Sequence, residues 1–242
     1  MIIPSHPIPA YPILSYPILA YPIIMNIYIE GNIGTGKTTF LAFLENNYID
    51  IPLNIIYEPV DQWQAIKDKD GKNLLEHFYG DQDKWSFAFQ MNSFISRVKK
   101  VEDVSREHPD RINIIERSVF TDRNCFAKNC YETGKLNEIE YLIYCRWHDW
   151  LCGEFNVKPM AFIYLKTAPE VSHQRIAKRE RSGEASIPID YLQLLHNLHE
   201  DWLADEATNV PVLTIDITEN FYESEEKKQA ILAKIKAFIE EL

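Results

Sequence analysis

The sequence predicts an α/β fold, a five-stranded parallel sheet flanked by helices. Three observations carry this. Five short apolar runs alternate with helical patterns, the order expected of a sheet covered on both faces. A glycine-rich loop joins the first of these strands to the first helix. The chain has 242 residues, 46% hydrophobic and 25% charged, enough for a sizeable core without disulfides or a structural metal.

The elements follow in order. Residues 1–24 read as a low-complexity, disordered extension. Residues 1–25 hold six of the thirteen prolines, carry no Asp, Glu, Lys or Arg, and repeat Tyr-Pro-Ile from Tyr11, Tyr16 and Tyr21. Proline every fifth residue forbids a continuous helix or a central strand. A docking tail for a proline-binding partner is the alternative. Folding is expected to begin at Met25, a candidate natural start, and to give one domain over 25–242. A strand over 26–30 leads to a helix over 37–46, and a second strand over 53–57 is stopped by Glu58-Pro59. Helices are expected over 73–79 and 83–107, the latter with Phe87, Met91, Phe94, Ile95 and Val98 on one side. A buried strand over 112–115 precedes helices over 119–130 and 136–155. A strand over 161–165 precedes a basic helix from 169 to about 181, then a helix over 189–205. A strand over 212–217 and an amphipathic helix over 224–242 complete the pattern. Crossovers should be right-handed, with the ligand at the carboxyl ends of the strands.

Composition narrows the function. The 25 basic and 36 acidic residues give a net charge of -11, which argues against a protein that wraps nucleic acid. No apolar run of about 20 residues is free of proline, which argues against a membrane span. Cys125, Cys130, Cys145 and Cys152 form no C-x-x-C pair and read as reduced thiols. The N-terminus lacks the basic start of a secretory signal and the arginines of a transit peptide, so a cytoplasmic location is expected.

Gly31-Asn32-Ile33-Gly34-Thr35-Gly36-Lys37-Thr38 matches G-x-x-x-x-G-K-[ST] and is followed by Thr39. In such a loop, backbone N–H groups curl around phosphate oxygens and the helix N-terminus adds partial positive charge. Lys37 is expected on the β- and γ-phosphates and Thr38 on Mg²⁺. A GTPase would need a guanine-reading N-K-x-D, which the chain lacks, and Asp68-Lys-Asp-Gly71 sits in a polar turn rather than after a strand.

The strand ends carry the remaining chemistry. Glu58 is either a proton acceptor at the ligand rim or a turn former before proline. Glu116 and Arg117 end the third strand, suited to a water-held Mg²⁺ and a phosphoryl group, or to a buried ion pair. Arg175, Lys178, Arg179 and Arg181 form a basic cluster suited to an arginine-bearing lid over about 175–187, or to a solvated face. Gln90 and Arg97, seven apart on one helix face, can read a base edge, or Gln90 is an ordinary helix-surface residue. Asp122 can hold Arg97 or accept from an amino group. Trp63 and Phe126 can sandwich a ring or belong to the core.

From about Met25 onward, the chain resembles the deoxyribonucleoside kinases of the deoxycytidine/deoxyguanosine kinase group. The matching stretches run in family order: E-G-N-I-G-T-G-K-T-T-F, Y-E-P-V-D-Q-W, N-L-L-E-H-F-Y, K-W-S-F-A-F-Q, Ser96-Arg97, I-E-R-S-V-F-T-D-R, W-H-D-W, F-I-Y-L, R-I-A-K-R-E-R and Y-L-Q-L-L-H. The resemblance implies a P-loop kinase fold and transfer of the ATP γ-phosphate, with Mg²⁺, to the 5′-hydroxyl of a deoxynucleoside. Glu58 then matches the general base, Arg117 its partner, and Glu116 the acid of the Mg²⁺ shell. Tyr79 and Glu184 match the 3′-hydroxyl pair. Gln90, Arg97 and Asp122 match the base readers, and Trp63 and Phe126 the ring contacts. Arg175, Arg179 and Arg181 match the lid. It also implies a homodimer packed on the helices over 83–107 and 136–155, with Trp147-His148-Asp149-Trp150. Polar Arg97 and Asp122 favour deoxyguanosine, deoxyadenosine or deoxycytidine over thymidine; Ser93 and the 126–129 stretch tilt toward the purines. A thymidylate-type monophosphate kinase would need more cations for its acceptor. An inactive regulatory protein would have lost Lys37, Glu58, Glu116 or Arg117, and none is lost.

Overall fold

The structure, a computed structural model, describes residues 25–47, 52–179, 181, 183–204 and 208–242. The expected 1–24 extension lies outside the described residues. Five strands form one parallel sheet: β1 (Asn26–Glu30), β2 (Leu53–Ile56), β3 (Ile112–Glu116), β4 (Ala161–Lys166) and β5 (Val212–Asp216), in spatial order β2-β3-β1-β4-β5. The order reverses beside β1, so its carboxyl end opens a crevice there.

Side chains alternate across the strands and build two cores. Ile27, Ile29, Ile114, Ile163 and Leu165 pack with Phe40, Leu41 and Leu44 of α1 (Lys37–Asn47). Ile231, Ile235 and Ile239 join them from the last helix (Glu225–Glu240). On the other face Tyr28, Ile56, Ile115, Phe162 and Tyr164 meet further helices. Those are α2 (Val60–Ala65), α3 (Leu74–Gly80), α4 (Gln82–Glu107) and, after β3, α5 (Val119–Thr121), α6 (Lys128–Glu132) and α7 (Glu138–Glu154). The chain then runs through α8 (Pro169–Arg179) and α9 (Ile189–Leu203) to α10, the last helix. Capping boxes start two helices: Asn73 with Glu76, and Asn137 with Glu140.

Away from the crevice, three asparagines in register cross the sheet. Asn113 Nδ2 donates to Asn26 Oδ1 at 2.8 Å, and Asn54 Nδ2 donates to Asn113 Oδ1 at 2.8 Å. Asn113 also donates to Ser105 Oγ of α4 at 2.8 Å. All four residues are buried. Apolar patterning does not announce this network, yet it ties β1, β2, β3 and α4 at one level.

Two expectations are corrected and one unexpected helix appears. The continuous helix over 119–130 is broken by a π-helical turn, Asp122–Ala127, in which the Lys128 N–H reaches back to Arg123 O. The wider turn sends Asp122 and Phe126 to the crevice while Cys125 enters the core. α2 was not expected, because six residues are too few to show a period. The helix expected to 205 ends at Leu203, and Asp205 lies outside the described residues.

Candidate active site

A cavity of about 610 Å³ opens at the carboxyl ends of the strands. One end is the phosphate loop. Gly31 has φ of 145°, and a Cβ there would stand 2.7 Å from the Leu165 carbonyl oxygen. Gly34 has φ of 79°, and a Cβ would stand 2.5 Å from the Ser172 carbonyl oxygen of α8. Both positions need glycine for conformation and for space. Asn32 anchors the loop, donating to the Leu192 carbonyl of α9 at 2.8 Å and accepting from the Ile33 N–H. Lys37 Nζ donates to the Gly31 and Asn32 carbonyls at 2.9 and 2.7 Å, so the ammonium sits inside the loop. Ile33, Gly34, Thr35, Gly36, Lys37, Thr38 and Thr39 all line the cavity.

At the start of α1, Thr38 Oγ1 donates to Glu116 Oε1 at 2.7 Å. Glu116 Oε2 accepts from the Glu58 N–H at 3.3 Å, which joins the ends of β2 and β3. A hydroxyl and a carboxylate beside a phosphate loop form the hard, all-oxygen donor set that Mg²⁺ takes. Among the described residues no group of three or more His, Cys, Asp and Glu could hold a metal, so phosphate and water would complete the shell.

Four charged side chains form the centre. Arg97 Nη2 pairs with Glu58 Oε1, and Arg97 Nε donates to Asp122 Oδ2 at 2.8 Å. Arg117 Nε lies 3.4 Å from Glu58 Oε1. Burial alone would raise the Glu58 carboxyl, but Arg97, Arg117 and Lys37 together hold it well below the usual carboxylate range. Burial pushes Asp122 up to about 6 against the pull of Arg97 and Arg117. Glu58 is therefore ionised at neutral pH, and Arg97 is shared between two carboxylates.

Aromatic walls complete this half. Arg97 lies over the Trp63 ring at 5.1 Å, and Arg117 over the Phe126 ring at 4.6 Å. Trp63 Nε1 donates to Ser96 Oγ at 2.8 Å, which fixes the indole. Gln90 lines the cavity with its Oε1 unpartnered and its Nε2 on the Cys130 thiol at 3.7 Å. Ser93 also lines it.

Glu184, 3% exposed, receives Arg179 Nε at 2.6 Å and Arg181 Nη1 at 3.2 Å. Tyr79 lines the same region, where burial and Glu184 raise its hydroxyl above the usual range. Arg175 is committed differently from the expected lid. It donates to the Thr35, Ile217 and Thr218 carbonyls at 2.9, 2.8 and 3.3 Å, and so braces the phosphate loop against the segment after β5. Glu180 and Ser182 of the expected lid lie outside the described residues.

Every site residue expected from sequence lies on this cavity except Gly31 and Asn32, which form the loop's base behind it. Sequence reasoning passed over the far end, where Ile217, Glu219, Asn220, Phe221, Tyr222 and Glu223 follow β5. The rule that ligands gather at strand carboxyl ends would have found them. On the surface expected to take part in self-association, Trp147 and Trp150 are exposed with Ile139, Leu142 and Ile143. His148 is corrected: it is buried, with Nε2 at 3.1 Å from the Val119 carbonyl.

The profile of the deoxynucleoside kinase family matches residues 27–240. The chain is 36% identical over 219 residues to a probable deoxycytidine kinase of fowlpox virus (strain NVSL), covering 89% of this chain and 88% of that one. It is 35% identical over 249 residues to the deoxycytidine kinase of Homo sapiens (90% and 92%). It is 33% identical over 240 residues to the mitochondrial deoxyguanosine kinase of Xenopus laevis (89% and 90%).

Proposed function

The chain belongs to the deoxynucleoside kinase family and acts as an ATP-dependent deoxynucleoside kinase, and we propose that Glu58 is the base that takes the 5′-hydroxyl proton as the γ-phosphoryl group is transferred. The observation that carries this is the placing of an ionised Glu58 between Arg97 and Arg117, one hydrogen bond from the Thr38–Glu116 pair. Phosphoryl transfer needs little covalent help, so positioning and charge carry the rate. The phosphate loop and Lys37 hold the donor's phosphates. Arg117 faces the reacting oxygen, and Arg179 and Arg181 neutralise charge spread over the moving group. Thr38 and Glu116 would hold Mg²⁺, which would neutralise phosphate charge.

The acceptor lies in the other half of the cavity, its ring between Trp63 and Phe126 and its base edge on Gln90, Arg97 and Asp122. Tyr79 and Glu184 take the 3′-hydroxyl. The acceptor of the buried Arg–Asp pair suits the exocyclic amino group that guanine, adenine and cytosine carry and thymine lacks, which favours deoxyguanosine, deoxyadenosine or deoxycytidine over thymidine. The protein is proposed to work as a homodimer through the apolar stripe of α7, where Ile139, Leu142, Ile143, Trp147 and Trp150 recur at helical spacing. A cytoplasmic location is part of the same reading; among the described residues no helix is long and apolar enough to cross a membrane.

Glu58→Gln tests the proposal. It keeps size and one hydrogen-bond acceptor but cannot take the proton. We expect kcat to fall by about 10²–10⁴-fold with a modest change in nucleoside affinity. A fall below threefold would remove Glu58 from the role.

A further inference from the structure

Glu30, the last residue of β1, is fully buried and does not line the cavity. Its carboxylate faces the turn that follows β3. Oε1 accepts from the Ser118 N–H at 3.0 Å, and Oε2 accepts from the Thr121 hydroxyl. Ser118 Oγ in turn accepts from the Thr121 N–H at 3.1 Å and caps α5. Both ends of this short turn are thus fixed to one side chain of a neighbouring strand.

The residues flanking the clamp face the substrate. Arg117 precedes Ser118, and its φ of 63° makes it the one non-glycine with positive φ among the described residues. A side chain held there is strained and persists where its surroundings over-determine it. The Arg117 N–H donates to the Ile29 carbonyl at 3.0 Å, so the strain is held at the end of β1. Asp122 follows Thr121 and pairs with Arg97. Gly31, next to Glu30, begins the phosphate loop. One carboxylate therefore joins the donor loop to the two acceptor-side groups, Arg117 and Asp122.

Resting on the kinase reading above, we propose that Glu30 is a positioning residue for phosphoryl transfer: its two hydrogen bonds hold Arg117 in its left-handed backbone and set Arg117 and Asp122 in register with the phosphate loop. It touches no substrate. It sets where the Arg117 guanidinium stands relative to Glu58 and the phosphate.

A kinetic cycle tests this. Glu30→Gln replaces one acceptor oxygen with an amide nitrogen, and Thr121→Val removes the hydroxyl donor with little change of shape. Each should lower kcat by about 10- to 100-fold with KM for ATP within twofold, and Thr121→Ser should stay within threefold of the parent. In an Arg117→Ala background, Glu30→Gln should cost at least threefold less than it does in the parent, because one of the two groups it positions is gone. Equal losses with and without Arg117 would overturn the proposal, as would parental kcat in folded Glu30→Gln and Thr121→Val. A Glu30→Gln protein that fails to fold leaves the two Thr121 variants to decide. A parent inactive on every deoxynucleoside would defeat the kinase reading instead. The clamp would then be read from a crystal structure of Thr121→Val: Arg117 leaving positive φ supports it, and Arg117 unmoved overturns it.

Discussion

Glu184 shows how one buried carboxylate organises several cations. It sits under Arg179 and Arg181 and beside Tyr79, so its charge neutralises two arginines and, in the proposed role, accepts from the 3′-hydroxyl. A site built to hydrogen-bond a hydroxyl rejects the analogue that lacks it, since its own polar groups are left unpaired. Glu184→Gln removes the charge and keeps the shape. The expected result is a fall in kcat/KM for the deoxynucleoside of at least tenfold, mostly through KM, since a hydrogen bond to a charged group is worth about 1.5–3 kcal/mol. The preference for a deoxynucleoside over its 2′,3′-dideoxy analogue should narrow in the same variant. Unchanged discrimination would place the 3′-hydroxyl elsewhere. The identities of these residues were readable from sequence, but their commitments were not. Arg175 and Arg179 share a helix face, yet one binds backbone carbonyls and the other a carboxylate. Only the fold decides which acceptor each guanidinium meets. Glu30 was overlooked because a polar last residue of a strand gives no sign of where its carboxylate turns.

At the level of elements, the strands were legible because apolar runs between polar turns leave few alternatives, and β1 matches its expected span. Helices with long amphipathic stretches, such as α4 and α10, were also legible. α2 and the π turn were not, being local responses to tertiary demands: burial of Trp63, and an Asp122–Arg97 pair inside the protein. π turns recur at functional sites, where the extra residue re-aims side chains. The asparagine network is a further element-scale feature without a periodic signature. Asn113→Ala strips partners from Asn26, Asn54 and Ser105 in a buried layer. Leaving such groups unsatisfied costs about 1–3 kcal/mol each, so a loss of about 3 kcal/mol is expected in urea unfolding. The network lies at the amino ends of the strands, away from the cavity, so kcat should remain within twofold. A stability loss under 1 kcal/mol would show that the layer relaxes or takes in water.

Across the whole molecule, a chain of net charge -11 gathers Lys37, Arg117, Arg175, Lys178, Arg179 and Arg181 around one cavity. Anionic phosphates thus meet local positive potential in an acidic protein, a contrast that total composition hides. Two of these cations, Arg117 and Lys37, add to burial in setting stability through His199. This histidine is fully buried between the Tyr164 and Phe126 rings, donating from Nδ1 to the Leu195 carbonyl at 2.6 Å with Nε2 unpartnered. Burial, then Arg117, with Lys37 and His196, lowers it to about 3. Between that value and the unfolded one near 6.5, the unfolded chain binds a proton that the native state refuses, so stability falls as pH falls. From pH 7 to pH 5 this site should cost about 2 kcal/mol. His199→Phe should lose that much less than the parent over the same interval, carboxylate contributions cancelling in the comparison. Equal losses would mean that His199 protonates in the folded state.

Mg·ATP-dependent ADP release against the four deoxynucleosides, the matching ribonucleosides and the deoxynucleoside monophosphates tests the kinase function most directly. Turnover is expected with deoxynucleosides, with deoxyguanosine, deoxyadenosine or deoxycytidine ahead of thymidine in kcat/KM, and none with monophosphates. Turnover of monophosphates alone would contradict it and remove Glu58 from its role. Silence across the panel from folded, ATP-binding protein would contradict it as well, leaving a nucleotide-binding protein without the transfer reaction.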